Sequence, residues 1–303
     1  MKMFFAIPAL ITVGLSWSLT GIVMSDAPRK KCDTAFLLLV SGVLSSLISL
    51  FFFLFLQKEA LSWKVLLLSS GCYFTGSAIN YCMLQFMSSA MQKGPNGVIW
   101  SFIQSALIFP FLTGVIFFGD KLTPLRGAGL LVLLLALIFL GLGKENKEKE
   151  KGWKKITFAA FIMAGITLSL NSIPSYFPEA RNLNSMGRTF MSGCGTLFAA
   201  IFYCYPKYRN YTKEMFLTEL KRPVLWKYIF TLKLFGLIAS YLLLYPGLDA
   251  MAKAGAGCIS YPLVIGSCIM GFNLYSLFIL REKWSFLQAA GTILCIAGEF
   301  MLI

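Results

Sequence analysis

The chain contains no histidine. That absence removes imidazole general bases, imidazole proton relays and His metal ligands together. A Ser-His dyad and an HExxH metal site are therefore excluded. The sequence also has no GxSxG, no Walker A stretch and no paired aspartates inside an apolar run. The expectation is a protein that is not an enzyme and that uses neither metal nor cofactor. Charge is scarce, at 13% of residues, and acidic residues number only 13 against 27 Lys and Arg. The eight cysteines form no CxxC pair, and most lie in apolar runs, where a thiol acts as a small hydrophobe. Neither a disulfide framework nor a zinc site is expected.

What fills the chain instead is apolar surface. Hydrophobic residues make up 57% of 303 positions. They gather in runs of spanning length, roughly 20 residues each. Ten spans are read, at about 4–24, 33–56, 64–87, 97–118, 124–143, 155–173, 187–205, 226–247, 257–279 and 285–303. All should be α-helices, because an isolated strand would leave its backbone unpaired in lipid. The predicted fold is thus an all-α polytopic membrane protein whose first partner is the lipid bilayer. The first span follows Lys2 like a signal peptide, but it lacks a convincing cleavage site and is read as a retained helix.

The net charge of +14 lies in loops between spans, with no basic stripe interleaved with aromatics. Nucleic-acid binding is not expected. The charges report topology instead. The loops bearing Arg29 to Lys31, Lys93, Lys144 to Lys155, Lys207 to Lys227 and Arg281 with Lys283 carry eighteen basic residues, and the opposite side carries eight. The positive-inside rule puts the richer side in the cytoplasm and both termini outside. A bacterial cytoplasmic membrane is the expected setting.

The two halves echo each other. Ala90-Met91-Gln92-Lys93-Gly94-Pro95-Asn96-Gly97 returns 160 positions later as Ala250-Met251-Ala252-Lys253-Ala254-Gly255-Ala256-Gly257. Tyr81 falls on Tyr241 at the same offset, and at 162 Asp120-Lys121 falls on Glu282-Lys283. The predicted organisation is a first five-helix repeat at 1–143, a charged cytoplasmic linker at 144–154 and a second repeat at 155–303. Five spans is an odd number, so the second repeat enters from the opposite face. Paired inverted repeats are a common architecture of secondary transporters.

Each half closes with a span, a short acidic-basic turn and a glycine-bearing last span. These are Gly119-Asp120-Lys121 with Gly127 and Gly129, then Arg281-Glu282-Lys283 with Gly291 and Gly298. This pattern resembles the ten-helix drug/metabolite transporter superfamily, in its EamA-type and sugar-porter branches. The stretch Gly76-Ser77-Ala78-Ile79-Asn80-Tyr81 is also similar to one in L-rhamnose/proton symporters. The resemblance implies the ten-helix fold and transport, without naming a substrate. Asp120 stands where that family usually has Glu. Many members also keep both termini in the cytoplasm, against the charge count here.

Polar and aromatic side chains inside the spans are the candidate solute contacts, because burying them in lipid is costly. They are Trp17, Asn80, Tyr81, Trp100, Gln104, Asn171, Tyr241 and Tyr261. Candidate coupling or gating residues are Lys233, Glu299, Lys93 and Lys253. For Lys233 two readings stand: it snorkels to the cytoplasmic headgroups, or it is functional, binding an anionic group or alternating its charge during transport. Pro110 and Pro262 each remove a backbone donor and can kink their spans, either freeing a carbonyl toward a solute or making a packing bend that neighbours stabilise. The functional expectation is a secondary transporter for a small neutral or zwitterionic metabolite, working by alternating access, with proton coupling open. A facilitative channel or a non-transporting scaffold remains the alternative, and a homodimer stays open.

Overall fold

The computed structural model describes residues 3–58, 60–142, 152–210 and 213–302. Among these, every regular element is helical. The first five helices are α1 (Met3–Arg29), α2 (Thr34–Leu56), α3 (Trp63–Lys93), α4 (Asn96–Phe118) and α5 (Pro124–Leu142). After residues 143–151, which lie outside the described residues together with most of the expected linker, follow α6 (Trp153–Tyr176), α7 (Ser185–Tyr208) and α8 (Lys213–Leu220). The last three are α9 (Pro223–Lys253), α10 (Gly257–Phe278) and α11 (Phe286–Leu302).

Six of these helices, α1, α2, α4, α6, α9 and α10, are long and apolar enough to cross a membrane. Their outer faces expose Leu54, Phe55, Phe117 and Phe278, a lipid-compatible surface that water would penalise. The chain is an all-α protein built for a bilayer. α3 and α7 are just as long, but Ser, Gly, Thr and Asn lower their hydropathy. Many of those polar groups turn inward, as Ser77, Ser88 and Gly193 show by their burial.

Local chemistry sets the helix ends. Asp33, Ser62 and Asn184 each accept a backbone N–H of the first turn, from Ala35, Val65 and Gly187. Gly119, in the left-handed region at φ +71°, ends α4. Two prolines act alike, each three residues after the end of a 3₁₀ turn. Pro110 cannot donate to the Ala106 carbonyl four residues back, and α4 tightens into a 3₁₀ turn at Ser105–Leu107. Pro262 likewise cannot donate to the Cys258 carbonyl four residues back, and α10 opens with a 3₁₀ turn at Gly257–Ile259. The sequence reading also placed residues 213–220 in a loop, and they form the short helix α8.

Five pairings dominate the packing: α5 on α11, α3 on α6, α3 on α7, α2 on α7 and α1 on α10. Two of them need backbones in contact. At Gly14 an added Cβ would stand 1.9 Å from the Val264 carbonyl oxygen of α10, and at Gly195 it would stand 2.0 Å from the Phe74 carbonyl oxygen of α3. Backbone atoms cannot step aside as a side-chain tip can. Gly195→Ala is therefore expected to lower stability by about 1–3 kcal/mol through overpacking. Thermal unfolding of the purified variant would check it, and a transition unchanged from the parent would contradict this close packing.

Candidate functional site

Four helices leave a gap between them. α1 supplies Trp17 and Thr20, α3 supplies Ser77 and Asn80, α4 supplies Trp100 and Gln104, and α6 supplies Thr167 and Asn171. The cavity they enclose is about 230 Å³. Pockets for drug-sized ligands run roughly 300–1,000 Å³, so this one suits a small metabolite. No ionisable side chain lines it.

The wall is positioned from behind. Trp100 packs on Phe272 of α10 with ring centroids 4.9 Å apart, and Gly21 lets the indole approach α1. Trp17 leans on Tyr261 at 6.5 Å. The Thr167 hydroxyl donates to the Gly76 carbonyl at 3.0 Å, tying α6 to α3 beside Asn171. Next to Trp100, the Asn273 amide donates to the Ser101 hydroxyl at 3.0 Å and fixes α10 to α4. Two buried polar atoms of the wall have no hydrogen-bond partner in the protein: the Trp100 indole Nε1 and the Asn171 Oδ1. One is a donor and the other an acceptor. Such groups cost free energy when orphaned.

Five of the eight residues expected to touch solute therefore share one cavity: Trp17, Asn80, Trp100, Gln104 and Asn171. Three do not line it. Tyr81 is buried on the other face of α3, its hydroxyl 3.4 Å from the Ala35 carbonyl and 3.6 Å from the Cys204 sulfur. Its neighbour Asn80 faces the cavity because successive helical residues lie about 100° apart around the axis. Tyr261 sits one layer back, behind Trp17. Tyr241 falls in a π-helical stretch, Ala239–Leu244, and is not among the residues lining this cavity. The sequence reading missed Thr20, Ser77 and Thr167, which are too common in spans to stand out alone.

Two carboxylates tie the ends of the molecule together. Glu282, between α10 and α11, accepts the Asn96 backbone N–H at 2.8 Å and its side-chain amide at 2.6 Å. It also accepts the Gly97 N–H at 3.0 Å and the Ser276 hydroxyl at 2.7 Å. It thus caps the N-terminus of α4, where the helix dipole favours negative charge. Burial alone would raise its pKa, but these donors outweigh burial and hold the carboxyl below the usual 4.5. Asp120, between α4 and α5, does the same for α10. It accepts the Cys258 N–H at 2.6 Å and the Tyr176 hydroxyl at 2.7 Å. Lys93 and Lys253 lie instead in the last turns of α3 and α9, where a cation complements the dipole, and neither lines the cavity between α1, α3, α4 and α6.

A buried ion pair spans α7 and α9. Arg188, 1% exposed, donates to both Asp249 oxygens at 2.9 and 2.8 Å, and its Nε donates to the Leu183 carbonyl at 3.0 Å. The guanidinium lies 5.5 Å from the Tyr245 ring centroid, and Tyr245 in turn packs edge-on against Tyr73. The sequence reading singled out neither Arg188 nor Asp249. Glu299 lies within α11, and its side chain is outside the described residues.

Against known proteins the result is sparse. No protein family matches the chain, and no curated protein matches it. Among solved structures, one described only as the crystal structure of a protein shares the fold, with a TM-score of 0.63 at 15% identity. The similarity covers 98% of this chain and 95% of that one. At that identity it shows a common fold along the whole chain and carries no function.

Proposed function

We propose that this chain is a secondary transporter for a small polar metabolite, held in the cavity between α1, α3, α4 and α6. The observation that carries the reading is that cavity: neutral, lined by two indoles and three side-chain amides. Indoles stack on a sugar or a base, and amides give direction through hydrogen bonds. Polar side chains at membrane depth are costly unless they are used.

The architecture proposed is ten spans in two inverted five-helix repeats. The reciprocal caps support it. Glu282 of the second half holds the start of α4, while Asp120 of the first half holds the start of α10. These are the sequences that echo at offsets of 160 and 162. The pairings agree: α3 lies on α6 as α9 lies on α1, and α10 lies on α1 as α4 lies on α6. One pairing breaks the symmetry. α3 packs along α7, but α9 touches α2 far less. Unequal packing of equivalent pairs is what a transporter resting in one of two states should have, since alternating access exchanges the tight and the loose side. The acidic turns keep their resemblance to the drug/metabolite transporter superfamily, and that membership is part of the proposal.

A stabilisation screen of purified protein against a metabolite library tests the site, because a bound solute raises apparent stability by mass action. Gln104→Ala is expected to weaken the best binder by about 1–3 kcal/mol, the cost of a lost buried polar partner. A binder whose affinity is unchanged by Gln104→Ala and by Asn171→Ala would place the site elsewhere.

A further inference from the structure

A second cavity, about 240 Å³, lies between α2, α7 and α9. Its polar lining is Ser45, Asn80, Thr189, Ser192, Thr196 and Lys233. The ammonium of Lys233 donates to the Ser45 hydroxyl. Ser45 is the central residue of the 23-residue helix α2, so at 1.5 Å per residue it lies about 16 Å from either helix end. A lysine that snorkelled would reach an interface. This one turns inward at mid-depth, where a charge is expensive and is a functional-site signal by default. A hydroxyl does not neutralise it, and an ammonium has three donors to place. Among the described residues, no carboxylate forms an ion pair with it.

Two further features fit a site. Asn80 lines both this cavity and the first one, so the two meet at its side chain. Gly236, one turn beyond Lys233, leaves open space, and the π-helical stretch Ala239–Leu244 widens α9 just after it. Such π segments occur frequently at functional sites.

We propose that Lys233 is the anion-holding end of the transport site, and that the solute carries a carboxylate. This rests on the transporter reading above and narrows its substrate class. The uncharged body of the solute lies against Trp17 and Trp100, Asn80 bridges, and the carboxylate meets the Lys233 ammonium among the hydroxyls of Ser45, Thr189 and Thr196. The solute thereby supplies the countercharge that the described residues lack.

The test uses full-length protein in detergent and matched probe pairs that differ only in charge: indole-3-acetate against indole-3-acetamide, and benzoate against benzamide. Binding is read from the rise in unfolding temperature across a concentration series. The acid of at least one pair should bind the parent roughly tenfold more tightly than its amide, as a hydrogen bond to a charged group implies. Lys233→Met should abolish the preference, and Lys233→Arg should keep it. Should Lys233→Met not stay monodisperse, Thr196→Met fills the second cavity, leaves the ammonium in place, and should lose the preference too. Equal binding of acid and amide by the parent, no stabilisation by any acid, or a preference that survives Lys233→Met would overturn the proposal. Those results leave the transporter reading standing. That reading fails separately, when Gln104→Ala and Asn171→Ala leave all solute binding unchanged.

Discussion

Arg188→Ala should unfold several degrees below the parent, corresponding to a loss of about 3 kcal/mol. Removing one partner of a buried pair leaves the other charge uncompensated, which costs more than the pair itself contributes. Here the guanidinium is 1% exposed and Asp249 is 18% exposed, so Asp249 recovers only part of its hydration. Two charge-assisted hydrogen bonds are lost, along with the contacts to the Leu183 carbonyl and the Tyr245 ring. Arg188→Lys keeps the charge but not the two-pronged geometry, and it should fall between the two. Removing Asp249 as well should recover part of the loss, because no orphan charge remains. The double-mutant cycle is read by thermal unfolding in detergent. A single Arg188→Ala variant as stable as the parent would mean the pair does not join α7 to α9.

Glu282→Gln should lower stability by about 2–3 kcal/mol, and it should do so in a pH-dependent way. The carboxylate serves four donors with two oxygens at one helix start. An amide keeps one acceptor oxygen and sets an NH₂ against N–H groups. The sign follows from the depressed pKa. Folding favours the ionised form, so this stabilisation is complete above the unfolded value of 4.5 and fades as pH falls through the lower folded value. Parent and variant should therefore differ most at neutral pH and converge in acid. A gap between them that stays constant from pH 7 to pH 3 would show that the side-chain charge is not what holds α4.

The spans and the cavity were legible in the sequence to different depths. Long apolar runs located the helices because lipid demands both apolar faces and internal hydrogen bonding. Trp17, Trp100, Gln104 and Asn171 stood out because large polar groups inside such runs need a reason. Rotational phase was not legible. Tyr81 and Tyr241 repeat at an offset of 160, yet Tyr81 faces α2 and α7, and Tyr241 sits in a π segment whose wider turn shifts the phase. Phase also decided Lys233, whose position in α9 allowed two readings until Ser45 was found against it. The caps escaped the sequence for another reason. Asp120 and Cys258 are 138 residues apart, and no periodicity links an acidic turn to a helix start in the other half. α8 is short and carries polar residues, so hydropathy gave no sign of it.

The central claim is that the cavity bordered by Trp17, Trp100, Gln104 and Asn171 carries a small polar solute across the bilayer by alternating access. The direct measurement is counterflow in proteoliposomes, using the solute that best stabilises the purified protein. Uptake of labelled solute should saturate, accelerate when unlabelled solute is loaded inside, and fall in Gln104→Ala. Flux that rises linearly with concentration and ignores internal solute would make the protein a channel, and no protein-dependent flux would make it a scaffold; either result contradicts the account.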